Sequence, residues 1–249
     1  MYQYLEEELD QLRSRIIKMG SLVEEQISTA INGLLTGDVS VVEKVVQGDE
    51  EVDKFDVKID KHCQRIFALT QPVAVDLRLI MTALKINNDL ERMGDIAVNI
   101  AHRIEPLANH LDLLTEFRID EMAATVQRIV KGSIDSFVNI DTELAVEIIK
   151  LDDVVDDIEH AMFDAVVEKM RSDQSLIEAC SYILTLAKNM ERLADHATNV
   201  AEDVIFLTDA KFIKHKKNID KYAHPKEDNT GDNTDDDDSS SEKPGDSTF

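Results

Sequence analysis

The 249-residue sequence predicts an all-α protein of two tandem three-helix bundles, related by a pseudo-twofold axis and followed by a disordered acidic tail. Three observations support this fold class. Only 8 Gly and 4 Pro, no Trp and 5% aromatic residues are typical of helices rather than of a β-sandwich or barrel. Apolar residues recur every three or four positions over long segments. One eleven-residue segment also occurs twice.

The repeated segment is Glu91–Ala101, which returns about one hundred residues later as Glu191–Ala201. Six of the eleven positions are identical, and the Met/Leu, Gly/Ala and Ile/Val differences conserve side-chain character. The repeat indicates two copies of one module, each with the same polar residues.

In the first half, an apolar stripe from Leu5 to Leu34 predicts a first helix that ends at Gly37. Asp38 or Ser40 can cap a second helix that runs to about Leu69, where Gln71-Pro72 interrupts it. A third helix is expected from Val75 or Asp76 to about Ile104, near Pro106.

In the second half, helices are expected near residues 116–138, 141–171 and 174–208, with turns around 139–141 and 172–173. Long helices joined by short turns must run antiparallel, so each half forms an up-down-up bundle. The domain prediction is therefore 1–110 and 111–215 for the two bundles and 216–249 for the tail.

The net charge of −24 excludes several classes of function. Residues 227–249 carry nine acids and one lysine, which contribute −8 and leave −16 on the rest. A chain this acidic has no basic stripe for nucleic-acid phosphates, so cations and basic protein surfaces are the expected partners. No apolar run is long enough to span a membrane, and no signal peptide is expected. Cys63 and Cys180 are predicted to be reduced core residues of a cytoplasmic protein.

Acidic residues form one column on the third helix of each half. Glu91, Asp95 and Asn99 are spaced i, i+4, i+8 and turn away from the apolar stripe. Glu191, Asp195 and Asn199 repeat the pattern. Because like charges at this spacing repel one another, helix propensity alone does not favour the arrangement.

The second helix of each half carries matching acids, Asp49 and Asp53 in one and Asp152 and Asp156 in the other. Asp53 and Glu91 each lie 19 residues from Pro72, and Asp49 and Asp95 each lie 23 residues from it. Residues equidistant from the turn of an antiparallel hairpin lie side by side. The pairs Asp156–Glu191 and Asp152–Asp195 are likewise symmetric about the boundary between residues 173 and 174.

Each hairpin is therefore expected to gather four carboxylates at one level. Oxygen ligands suit hard cations such as Mg²⁺, Ca²⁺, Mn²⁺ or ferric iron, and four carboxylates could hold more than one ion. The alternative is a solvated face with helix-surface ion pairs. His160 and His196 are expected to be hydrogen-bonded rather than to join a site.

The sequence has no motif for nucleotide, serine-hydrolase or zinc-protease chemistry. It also lacks the Glu-x-x-His pairs of di-iron bundles. Both observations favour a non-enzymatic protein.

The segments Ala68–Arg78 and Leu84–Ala101 strongly resemble the PhoU family, and Met190–Val204 is similar to that family's second signature. The similarity covers about residues 1–215. It implies a pair of three-helix bundles and a cytoplasmic regulator that restrains phosphate uptake. Its implied partners are the ATPase of the phosphate ABC transporter, the phosphate-sensing histidine kinase and a second copy of the chain, with membrane contact only through partners.

The resemblance also implies multinuclear Fe, Zn, Mn or Mg sites on the acidic motifs. On that basis a ligand role is expected for Asp49, Asp53, Glu91, Asp95, Asp152, Asp156, Glu191 and Asp195, with Asn99 and Asn199 as weaker candidates. The acidic tail departs from the family pattern and inherits no role. Three alternatives remain open: a metal-buffering protein, an accessory protein of a non-ABC phosphate transporter, and a metal-dependent hydrolase or oxygenase.

Overall fold

The computed structural model of the protein describes residues 2–209, and this part of the chain contains helices and no β-strand. The helices are α1 (Tyr2–Thr36), α2 (Val42–Leu69), α3 (Ala74–Ala101), α4 (Ile104–Leu107), α5 (Leu111–Glu116), α6 (Ile119–Asn139), α7 (Thr142–Ser172) and α8 (Ile177–Asp209). Short 3₁₀ turns precede α2 and α8. The prediction of an all-α fold is confirmed.

The apolar stripe of α1 forms the centre of the first bundle. Every predicted stripe position is at most 8% exposed: Leu5, Leu9, Leu12, Ile16, Met19, Val23, Ile27, Ala30 and Leu34. α1 packs on α2 and α3, and α6 packs on α7 and α8 in the same way. Burial of these stripes is the main source of helix stability, because isolated helices are marginal in water.

The first helix of each bundle ends alike. Gly37 after α1 and Ile140 after α6 both have left-handed backbone, with φ of +69° and +53°. Asp38 and Asp141 follow them and accept backbone hydrogen bonds from Ser40 and Leu144. The two ends are 103 residues apart, as are Asp49 and Asp152, so this offset relates α1 to α6 and α2 to α7.

The connection between the bundles differs from the prediction. α3 ends at Ala101 rather than about Ile104, and α6 begins at Ile119 rather than near residue 116. The intervening chain forms α4 and α5, which bury Leu107, Leu113 and Leu114. Helices of one turn or so are too short to show a helical period, so the sequence pattern does not reveal them.

The two bundles share one hydrophobic core. They meet where α3 packs on α8 and α1 packs on α6, so third helix faces third helix and first faces first. This is the pairing that a pseudo-twofold axis requires.

The predicted domain boundary, between residues 110 and 111, falls immediately before α5. The predicted tail, 216–249, and residues 210–215 lie outside the described residues. Within the described residues, no helix is both long and apolar enough to cross a membrane. Cys63 and Cys180 are buried free thiols, as predicted.

Candidate metal centres

The first acidic cluster lies where α2 packs on α3, and it brings together both pairs predicted for this hairpin. Asp95 lies close enough to Asp49 to raise its pKa, and Asp53 acts on Glu91 in the same way. Asp53 is exposed, whereas the other three side chains are half-buried. The carboxylates therefore stand at the edge of the packed interface and not in its apolar centre.

Burial and mutual repulsion disfavour the ionised carboxylates of this cluster. Burial is the largest cause of the raised pKa of Asp49, and repulsion from Asp53 and Asp95 adds to it. Burial also raises the pKa of Glu91, with further repulsion from Asp95, Asp56 and Asp53. A bound cation would relieve both effects, because opposite charge favours the ionised form.

The structure adds Asp56 and Asp60 of α2 to this cluster, and sequence reasoning missed both. Asn87 of α3 donates a 2.6 Å hydrogen bond to Asp56 and a 3.4 Å bond to Asp60. Burial raises the pKa of Asp56, and repulsion from Asp60 adds to this effect. The signal was available, since Asp56 and Asn88 are equidistant from Pro72 and mark the next level of the hairpin.

A third helix also reaches the first cluster. Gln26 of α1 donates from Nε2 to Oδ1 of Asp49 at 3.0 Å, to the carbonyl oxygen of Val45 at 3.2 Å and to that of Gly94 at 3.4 Å. Its hydrogen bond opposes the rise in the pKa of Asp49. The hairpin symmetry relates α2 to α3 only, so it gave no indication of a residue on α1.

Arg92, which lies on α3 with Glu91 and Asp95, partly neutralises the first cluster. Arg92 places Nη1 3.1 Å from Oδ2 of Asp95 and Nε 3.3 Å from Oε2 of Glu91. The guanidinium side chain is half exposed, and exposed ion pairs of this kind contribute about 0–1 kcal/mol. A multivalent cation would therefore displace Arg92 at low cost.

The second acidic cluster lies between α7 and α8. Burial raises the pKa of Asp195, and repulsion from Glu191 and Asp156 adds to it. Asp152, one turn before Asp156 on α7, is only 4% exposed. Lys188 forms a 2.8 Å ion pair with Glu191, and Glu159 and Asp195 also act on its charge. Glu159 is a member of this cluster that sequence reasoning missed, although it and Lys188 are symmetric about the same turn.

The histidines and asparagines of the motifs have other contacts. His196 and Asn199 of α8 reach Oδ1 of Asp89 on α3, at 2.9 and 3.4 Å. His160 is exposed and bonds to the backbone oxygen of Asp156. Asn99 is exposed. The expectation that both histidines are hydrogen-bonded is confirmed.

The donor set of both clusters fits a hard cation, because each gathers several carboxylates whose charges repel one another, and the amide of Gln26 also lies at the first. In the described part of the chain, no three His, Cys, Asp or Glu side chains stand in an arrangement that would hold a metal ion as they are. The carboxylate side chains would have to rotate towards an ion.

Comparison with known proteins gives the family. The model of the PhoU domain matches this chain twice, at residues 16–104 and 119–204. The chain belongs to the PhoU family. The first match ends at Ile104, where α4 begins, and the second runs from Ile119, where α6 begins, into α8, so one PhoU domain corresponds to each bundle.

Named relatives resemble the chain over most of its length. A phosphate-specific transport system accessory protein PhoU homolog from Caulobacter vibrioides is 36% identical over 86% of this chain and 94% of its own. The homolog of the same name from Aquifex aeolicus is 39% identical over 84% of this chain and 95% of its own.

Solved structures agree with the fold. The crystal structure of PhoU from Pseudomonas aeruginosa superposes with a TM-score of 0.78, at 32% identity over 83% of this chain and 99% of that one. The phosphate transport system regulatory protein PhoU from Streptococcus pneumoniae gives a TM-score of 0.76, at 25% identity over 85% and 100% of the two chains. These two PhoU proteins therefore share the overall fold found here.

Proposed function

We propose that this PhoU protein is a cytoplasmic, non-enzymatic adaptor that restrains phosphate uptake and signals phosphate sufficiency. Its partners would be the ATPase of a phosphate ABC transporter and a phosphate-sensing histidine kinase, and it would act as a homodimer. The names of its relatives, which call them accessory and regulatory proteins of phosphate transport, support this role.

The proposal includes a hard cation in each acidic cluster. Asp49, Asp53, Glu91 and Asp95 would hold it in the first bundle, and Asp152, Asp156, Glu191 and Asp195 in the second. The ions would be Fe, Zn, Mn or Mg, with more than one per cluster where space allows. They would supply positive charge to a strongly acidic surface. The observation that carries this part is the shared level of carboxylates from two helices, with burial and like charge raising the pKa of Asp49, Glu91 and Asp195.

An ion would also change the surface that a partner meets. Arg92 and Lys188 now pair with cluster carboxylates, and a bound cation would release both side chains to solvent. The acidic face would become less negative and would gain two mobile basic groups. Such a change would couple cation binding to recognition of a partner protein through charge complementarity.

The adaptor role is tested in cells that lack their own copy of this protein. Expression of the full chain is expected to lower phosphate uptake and to repress a phosphate-regulon reporter, and the chain is expected to co-purify with the transporter ATPase. Phosphate uptake and reporter expression that do not change when the chain is expressed would overturn the proposal.

A metal-buffering protein is the second candidate, favoured by the two carboxylate clusters themselves. It predicts a change in the total Fe, Mn or Zn content of the same cells with no change in phosphate uptake. The variant with Asp49→Asn, Asp95→Asn, Asp156→Asn and Asp195→Asn separates the two. An adaptor that needs its cations loses repression of uptake, whereas a buffer loses only metal content.

A further inference from the structure

Gln26 distinguishes the two clusters from each other. Its side chain lies on α1, is only 5% exposed and reaches between α2 and α3. All three neighbours of Nε2 are oxygen acceptors, on Asp49, Val45 and Gly94, so the amide orientation is fixed by chemistry. The nitrogen therefore holds the Asp49 carboxylate.

The other amide atom, Oε1, accepts no hydrogen bond within the described residues. It faces Gly94 of α3, the residue before Asp95. A methyl group on Gly94 would lie 3.2 Å from this oxygen and 2.9 Å from Oδ1 of Asp49. A buried carbonyl oxygen without a donor is costly, and a cation or its bound water would satisfy it.

The second bundle lacks this arrangement. The 103-residue offset that relates α1 to α6 places Ile129 where the first bundle has Gln26, and Ile129 is fully buried. The repeat likewise places Ala194 at the position of Gly94. An isoleucine has no donor for a carboxylate, and the methyl group of Ala194 occupies the space that Gly94 leaves open.

We infer that Gln26 is a positioning residue for a cation site in the first cluster, and that this site binds its cation more tightly than the second. The inference rests on the proposed cation function. Gln26 fixes Asp49 through one amide atom and offers the other to the hydrated ion. Hydrogen bonds to a ligand from an outer residue typically change metal affinity by about 10–100-fold.

The test is a titration of the full-length protein with Mn²⁺, in which binding is measured as the loss of the electron paramagnetic resonance signal of the free ion. Asp156→Asn with Asp195→Asn removes the second cluster, so that the first is observed alone. In that background Gln26→Met, which keeps the length of the side chain, is expected to weaken Mn²⁺ binding about tenfold or more. It should also move the midpoint of binding to higher pH, a change that a packing role would not produce.

Two further variants control the result. Ile129→Met, in a background where Asp49→Asn with Asp95→Asn removes the first cluster, is expected to leave Mn²⁺ binding unchanged. Gly94→Ala fills the space beside Gln26 and is expected to weaken the first site even if Gln26→Met folds poorly. If Mn²⁺ binding is unchanged in both Gln26→Met and Gly94→Ala, the role of Gln26 is refuted but the cation function is not. A protein with both clusters intact that binds neither Mn²⁺ in this titration nor Fe, Zn or Mg in equilibrium dialysis would refute the cation function and this inference together.

Discussion

His196 of α8 places Nδ1 2.9 Å from Oδ1 of Asp89 on α3, across the contact between the two bundles. Asn199 donates to the same oxygen at 3.4 Å. The repeat places Asn189 at the position of Asp89 and Ile96 at the position of His196, so this contact does not recur about the pseudo-twofold axis. It gives the interface between the bundles one specific register.

Asp89→Ala is expected to destabilise the protein by about 0.5–1.5 kcal/mol, because the partly buried His196 and the exposed Asn199 of α8 lose their acceptor. Urea unfolding measures the change, and Asp164→Ala, at an exposed position of α7, is the matched control. Equal stability of both variants would show that the contact has no energetic weight.

A second buried polar group links stability to pH. His62 of α2 is 3% exposed and places Nε2 2.7 Å from Oε2 of Glu8 on α1, which also accepts a hydrogen bond from Arg65. Burial lowers the pKa of His62, against the hydrogen bond to Glu8. Burial alone would raise the pKa of Glu8, but the hydrogen bonds from His62 and Arg65 outweigh it and lower that pKa.

Both pKa shifts predict that the stabilising contribution of the His62–Glu8 contact is lost in acid. An imidazole with a lowered pKa is favoured in its neutral form, so its contribution is complete above the ordinary value of 6.5 and declines below it. Glu8, whose carboxyl pKa is lowered, loses its contribution only below its ordinary pKa of 4.5. The contribution of His62 to the free energy of unfolding should therefore fall as the pH drops from 7.5 to 5. His62→Gln, which does not titrate, should flatten this fall, and an unchanged slope would argue against the assignment.

Two glycines should respond in opposite ways to the same substitution. A methyl group on Gly132 would lie 2.2 Å from Cδ1 and 2.6 Å from Cγ1 of Ile148, whereas one on Gly48 would meet only Gln26 Cγ at 3.7 Å. Gly132→Ala is expected to cost about 1–2 kcal/mol, since overpacking exceeds the gain in helix propensity. Gly48→Ala is expected to stabilise the protein by up to about 1 kcal/mol. Thermal unfolding of both variants decides this, and a stabilised Gly132→Ala would mean that Ile148 moves aside freely.

Neither thiol should react in the folded protein. Burial raises the pKa of Cys63 to about 12 and also raises that of Cys180. Because the thiolate is the reactive species, a disulfide reagent such as Ellman's should label both only after unfolding in urea. Rapid labelling at pH 8 without denaturant would contradict their burial.

The repeat and the apolar stripes predicted the six long helices, because helices of 20 to 35 residues display their period many times. α4 and α5 are too short for that signal. The hairpin symmetry likewise placed Asp49 beside Asp95 and Asp53 beside Glu91, and it would have revealed Asp56 and Glu159 had it been extended by one level. Gln26 could not be found in this way. Its approach to Asp49 depends on how α1 packs against the α2–α3 hairpin, which only the folded structure fixes.

The two cation sites are tested most directly by equilibrium dialysis of the full-length protein against Fe, Mn, Zn and Mg salts, with elemental analysis of the bound metal. We expect micromolar or tighter binding of at least one of these metals. At a metal concentration that saturates both clusters, the amount bound should fall by about half when Asp95→Ala removes one cluster and disappear when Asp195→Ala is added. Wild-type protein that retains no more metal than this double variant would contradict this expectation.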